Sequence, residues 1–229
     1  MQGVRVKSVD PKINLFNSQQ VISKKGEYFV LSGDGKIILF NKNGNELWTK
    51  VGYENDDIDI SPSGNYIIAL GDCINIFNKK GEIILKQDIS SGYFYDSIIS
   101  FSPDEKYCII GTLKDKLYFF QLDSPMLLWE YSSGDLNIGF TSASISANGN
   151  FIFVGAVRHI KGVGLDAQNP YHLFLLNKSK EILWKKEIKE LGYQNDRWGS
   201  KVFLSSDGTD IYFTLPKGIV HLKNEFLVK

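Results

Sequence analysis

Two cysteines in 229 residues, Cys73 and Cys108, are too few for a disulfide framework or a cysteine-ligated metal site. Both lie in apolar, strand-like segments (DCINIF and KYCII) and read as buried free thiols, which fits a reducing compartment. No apolar run approaches the ~20 residues that a membrane-spanning helix needs. The N-terminal MQGVRVKSVDPK lacks the apolar core of a secretory signal, so a cytoplasmic location is expected. Charge of one sign is not in excess either: 26 Lys and Arg balance 26 Asp and Glu. Nothing in the overall charge therefore points to nucleic acid or an anionic membrane as partner. Arginine is scarce, with only Arg5, Arg158 and Arg197. The three histidines, His159, His172 and His221, are far apart, and no H-E-x-x-H, H-x-x-E-H, G-x-S-x-G or phosphate-loop motif occurs. Helical periodicity is missing as well. EILWKKEIKELGY (181–193) has some, but it begins at a position that elsewhere reads as strand.

What the chain has instead is a repeat. Five segments align: 21–50, 59–87, 100–130, 144–186 and 203–229. Their turn anchors Gly26, Gly64, Glu105, Gly149 and Gly208 are 38, 41, 44 and 59 residues apart, the last interval holding an extra loop, 158–170. Each unit reads as four strands. A moderately polar first strand ends in a turn of Ser, Pro, Asp, Asn and Gly. A nearly all-apolar second strand follows: EYFVLS, NYIIAL, KYCIIG, NFIFVG, DIYFTL. The third strand (KIILFN, INIFN, KLYFFQL, YHLFLLN, GIVHL) leads through a second polar turn to the fourth: ELWTK, EIILK, MLLWE, EILWKK, EFLVK. A strand that is apolar at successive positions must be covered on both faces. Stacked four-stranded sheets of ~40 residues each do this, which predicts an all-β propeller of about five blades. A β-sandwich and an open β-solenoid are the alternatives. The expected blades run over 15–50, 57–88, 96–131, 138–188 and 198–229 as one domain, with residues 3–8 (GVRVKS) as an extra closing strand.

GTLKDKLYFFQLDSPMLLWEY (111–131) resembles the repeat of pyrroloquinoline-quinone-type propellers, as do GDGKIILFNKNGNELW (33–48) and LFLLNKSKEILW (173–184). SPSGNYIIAL and SPDEKYCIIG are similar to the Ser-Pro-Asp-Gly turn of WD-repeat-like propellers. The resemblance covers about residues 15–229 and implies architecture rather than activity. It implies that Trp48, Trp129 and Trp184 dock one blade on the next. It does not bring the quinone, because the chain has no Cys-Cys pair and room for only five blades; no cofactor is expected.

In such a blade the 1–2 and 3–4 turns leave one face, and the 2–3 loops and crossovers leave the other. The first set is short and repetitive. The second holds everything irregular: 51–57, 91–97, 132–140, 191–200 and the insertion 158–170. Arg158, His159, Arg197 and Trp198 all fall there. Arg offers a planar fork of donors, Arg, Trp and Tyr are enriched at binding hot spots, and loops on rigid scaffolds carry binding residues. Arg197 could equally pair with Asp196 or Asp57 to tie neighbouring loops. Three crossovers share Gly-Tyr-x-x-Asp, through Tyr53 and Asp56, Tyr93 and Asp96, and Tyr193 and Asp196. These residues either ring a binding funnel or form a repeated turn in which Tyr fills the gap between blades. Asp57 and Asp59 alternate along one first strand, where a carboxylate pair could hold a cation such as Ca²⁺.

The expected function is a non-enzymatic module that binds a protein, peptide or glycan through this face. The alternatives are a glycosidase- or lyase-like enzyme using Asp56, Asp57, Asp96 and Asp196, or a structural array within a larger protein. An enzyme further predicts two neighbouring carboxylates, one of them raised in pKa.

Overall fold

The computed structural model describes residues 18–53, 55–89, 97–113, 115–135, 138–158, 170–188, 201–215 and 218–227, with backbone only at 55, 56, 158, 215 and 227. Residues 3–8, expected as a closing strand, lie outside them. The chain divides into two compact units, Met1–Tyr93 and Phe94–Lys229. No helix among the described residues is long and apolar enough to cross a membrane.

The first unit holds two sheets. β1 (Gln19–Ile22), β2 (Tyr28–Gly33), β3 (Lys36–Asn41) and β4 (Glu46–Val51) form one, and β5 (Asn55–Ile60), β6 (Tyr66–Gly71), β7 (Cys73–Asn78) and β8 (Ile83–Asp88) the other. The second unit holds three. The first two are β9 (Ile98–Phe101), β10 (Tyr107–Gly111), β11 (Lys116–Gln121) and β12 (Met126–Ser132), then β13 (Ile138–Ile145), β14 (Phe151–Arg158), β15 (Tyr171–Asn177) and β16 (Ile182–Ile188). The third is β17 (Val202–Leu204), β18 (Asp210–Leu215) and β19 (Gly218–Lys223). Every sheet is an antiparallel meander in sequence order.

In the first four sheets the apolar runs of the second and third strands are buried on both faces, as their composition requires; in the last sheet Ile211 and Phe213 are buried while Tyr212 and Ile219 are exposed. In the first unit Val30, Ile37 and Leu39 pack on Ile58, Ile60, Ile67, Ala69 and Phe77 of the next sheet. In the second, Ile109, Leu117 and Phe119 meet Val154, Phe174 and Leu176, while the opposite face of that sheet, with Phe153, Leu173 and Leu175, meets Val202, Ile211 and Phe213. Each such side chain contributes about 1.5–3 kcal/mol on full burial. Cys108 is buried as expected; Cys73 is only half-buried, and both are free thiols.

The turn chemistry repeats at atomic detail. In all five units a serine accepts, on its Oγ, the N–H of the residue five places on: Ser23 from Tyr28, Ser61 from Tyr66, Ser102 from Tyr107, Ser146 from Phe151 and Ser205 from Asp210. The turn anchor donates to the same serine's carbonyl. At three anchors glycine is required twice over. Gly64, Gly149 and Gly208 have φ of 81°, 69° and 80°, and a Cβ would lie 2.4 Å from Tyr28, 2.6 Å from Tyr107 and 2.7 Å from Phe151 of the preceding sheet. The tryptophans dock sheet on sheet. Trp48 Nε1 donates to Lys79 O at 3.0 Å, and Trp129 Nε1 to Lys178 O at 2.9 Å. The two lysines then place Nζ over the rings of Tyr28 and Tyr107. Trp184 packs in the cluster shared with the last sheet.

The last unit departs from the expected pattern. Glu225–Leu227, expected within a fourth strand, form a turn of 3-10 helix. In three other units an asparagine nucleates the 3–4 hairpin by accepting the N–H groups two and four residues on: Asn41, Asn78 and Asn177. Gly44, Gly81 and Lys180 then supply positive φ. The equivalent of that asparagine is Lys223, which pairs with Asp210. Asn224 instead donates Nδ2 to Gly208 O and accepts the Phe226 N–H, which curls the chain.

Gly149→Ala is expected to destabilise the protein by about 2–4 kcal/mol through left-handed backbone strain plus overpacking on Tyr107. Trp129→Phe should cost about 1 kcal/mol for the lost hydrogen bond, before any packing loss. Urea unfolding measures both.

Candidate functional site

The 2–3 loop and the crossover of a sheet bond to each other wherever both are described. In the first sheet Gly35 O accepts the N–H groups of Gly52 and Tyr53, at 2.9 and 3.0 Å. In the third, Asp115 does this with its side chain. The residue is buried, has φ of 64°, and occupies the reversal between β10 and β11. Its carboxylate accepts from Ser132 Oγ at 2.5 Å, Ser133 N at 2.6 Å, Gly134 N at 3.1 Å, and Ser133 Oγ. Its own N–H donates to Ile138 O, and Phe140 N–H donates to Thr112 O. A buried carboxylate needs several such donors, and here the crossover supplies them. Its charge also raises the half-buried Tyr131 hydroxyl above its ordinary pKa, after burial itself, the larger cause.

Arg158 ends β14 with its backbone paired to Ile138, so it stands at the same end of the sheets as the Asp115 clamp. Tyr53 is half-buried and meets Phe77 of the next sheet edge-on at 5.5 Å, while Gly52 before it has φ of 82°. This is the gap-filling geometry of the repeated-turn reading. Asp56 and Asp57 lie on β5; Asp57 is half-buried and its Oδ1 accepts the Ile58 N–H. His159, Tyr93, Asp96, Tyr193, Asp196, Arg197 and Trp198 lie outside the described residues, as do most of segments 158–170 and 191–200.

Asp59, two residues along β5 and thus on the same sheet face as Asp57, is the most perturbed carboxyl. Burial pushes its pKa from 3.8 up to about 7; the Ile60 N–H bond opposes the rise and the Asp57 charge adds to it. A carboxyl poised there can exchange a proton at neutral pH. Among the described residues no three His, Cys, Asp or Glu side chains gather as a metal site, so the pair has no third ligand there. Grooves in the second unit lie at the opposite, short-turn end. One of about 580 Å³ is lined by residues including Phe151, Lys178, Ile182, Leu183 and Phe226, and one of about 570 Å³ by Ala147, Asn148 and Ser205–Asp207.

Sequence reasoning missed Asp115. Its signal was present in LKDKL, where one Asp between two lysines fills a tight reversal, but the donors it needs lie 17 to 19 residues away.

No protein-family model matches the chain, and no curated protein sequence does. Among solved structures it is similar to the Cps50 (Swd1) β-propeller domain of Myceliophteria thermophila, with TM-score 0.59 and 12% identity over 91% of this chain. The fold is a β-propeller. The chain spans 65% of the length of that domain.

Two outcomes follow. Asp115→Asn should cost about 2 kcal/mol and make residues 132–138 the first site of limited proteolysis. Asp59 holds a proton in the folded state that the unfolded chain releases near its ordinary pKa, so stability falls as pH rises from about 4 to about 7. Asp59→Asn should match the wild type near pH 4 and exceed it by about 2 kcal/mol near pH 8, read from urea midpoints.

Proposed function

We propose that this propeller is a non-catalytic binding module that engages a protein, peptide or glycan partner through the face carrying its 2–3 loops and crossovers. The observation that supports this reading most is the Asp115 clamp. It fixes a non-repetitive crossover to the rigid sheet beneath it, and the chain of β14 runs out beside it at Arg158 into the long insertion. Binding residues belong on such anchored loops. In this reading Arg158, His159, Arg197 and Trp198 are the fork donors and aromatic contacts, Tyr93 and Tyr193 add further aromatic contacts, and Asp56, Asp57, Asp96 and Asp196 are acceptors. Tyr53, packed against Phe77, contributes mainly by holding its crossover in place. Nucleic acid and membrane surfaces are poor partners for a chain of zero net charge.

One observation favours a second reading, an enzyme of glycosidase or lyase type. Asp57 and Asp59 share a strand face and one of them titrates near neutrality. Turnover of glycosides that disappears in Asp59→Asn would establish that reading over the first.

Arg197→Ala combined with Trp198→Ala is expected to abolish capture of partners from a native lysate, while the melting temperature stays within ~2 °C. A large fall in melting temperature would instead mark these side chains as ties between loops.

A further inference from the structure

In the first unit the seam between the two sheets gathers lysines around Tyr28, at the short-turn end. Lys24 N–H donates to Pro62 O at 3.1 Å, which sets the first turn of one sheet beside that of the next. Trp48 Nε1 reaches Lys79 O, and Lys79 Nζ lies 4.2 Å from the centre of the Tyr28 ring. A Cβ on Gly81 would lie 3.2 Å from Lys50 Cε, so the Lys50 stem crosses the same turn. Lys24, Lys25, Lys79 and Lys80 are exposed and Lys50 is half-buried. Among the described residues none of these five pairs with a carboxylate. Of the glutamates nearby, Glu27 is taken by Lys42 at 3.0 Å, and Glu82 accepts from Asn78 Nδ2 at 2.6 Å.

The second unit builds the same seam with different charges. Around Tyr107, Trp129 Nε1 reaches Lys178 O and Lys178 Nζ lies over the ring, as in the first unit. There Pro103 stands for Lys24, Asp104 for Lys25, Tyr131 for Lys50 and Ser179 for Lys80. Only Lys79 has a lysine counterpart, Lys178. The frame therefore holds without the other four lysines. Like charges crowded on one seam repel and lower stability, and the second seam shows that the fold does not need them. Nor do they follow from a basic composition, since the chain is neutral overall.

We propose that this end of the first unit binds an acidic segment of another protein, a run of Asp and Glu laid along the seam. The cluster sets the sign of the partner, and the rest of the seam narrows its class. The seam has no arginine, whose planar fork suits phosphate. Its two rings are engaged rather than free to stack on bases: Tyr28 lies against Lys79 Nζ and Gly64, and Trp48 against Gly81 and Phe77. Both features favour carboxylates over nucleic acid. The chain's own residues 1–17 carry Arg5, Lys7 and Lys12 against Asp10, the wrong sign to cover lysines. In these sheets the short turns lie opposite the 2–3 loops and crossovers, so this is a second surface beside the one proposed above.

The probe is a fluorescein-labelled peptide of about ten glutamates, added to the full chain at low salt and followed by anisotropy. The expected result is saturable binding that weakens roughly tenfold as salt rises to the physiological range. Lys24→Glu combined with Lys25→Glu and Lys80→Glu should weaken it by about tenfold or more. The melting temperature should stay within ~2 °C, since all three side chains are exposed. Should that variant fail to fold, the neutral pair Lys25→Gln and Lys80→Gln should still weaken binding roughly threefold. Three results would overturn the proposal: no binding at low salt, equal binding by the folded variants and the wild type, or tighter binding of a thymidine oligonucleotide of the same length.

Discussion

A sheet whose two central strands are apolar on both faces cannot stand alone in water, and this constraint organises the molecule. Val30, Leu39, Ile67 and Phe77 in the first unit, and Ile109, Phe119, Phe153 and Leu175 in the second, are buried only because another sheet lies against theirs. Stacking therefore follows from composition. The details of stacking come from a few specific contacts: a glycine without a Cβ under a tyrosine ring, and a tryptophan N–H reaching a carbonyl of the next sheet.

Polar residues do two kinds of work in this frame. Repeated ones, such as Ser61 and Ser146, satisfy turn amides that would otherwise be left unpaired near the core. Unrepeated ones break the pattern. Asp115 replaces backbone-only loop contacts with a carboxylate clamp. Asp59 puts a carboxyl where unit four has Ser144, whose Oγ accepts the Leu204 N–H. A hydroxyl is neutral at such a half-buried position, whereas a carboxylate is costly, and its pKa rises accordingly.

The last unit differs in its turn chemistry. Lys223 stands where three other units have the hairpin asparagine, and Asn224 curls the chain into the 3-10 turn of Glu225–Leu227. Five of the six residues of β19 are exposed. The sequence EFLVK resembles its four counterparts in composition, and reading it as a strand gave weight to side-chain pattern over turn chemistry.

Much of the fold was legible in the sequence. Five apolar second strands and the serine turns can be read from residues that repeat, because a repeat reports the same local physics several times; the docking role of Trp48 and Trp129 was implied by the resemblance those repeats carry. The expected binding residues were named only by their failure to repeat. Of these, Tyr53 proved to lie against Phe77, a neighbour 24 positions away that no local pattern announces. The sequence by itself determined which strands form and that they must stack, since hydrophobic period and turn propensity are local properties. Only the tertiary structure decided that Asp115 would gather a crossover, that Asp59 would titrate near neutrality and that Asn224 would curl the chain after β19. Each of these depends on which groups, distant along the chain, supply or withhold solvent and hydrogen bonds.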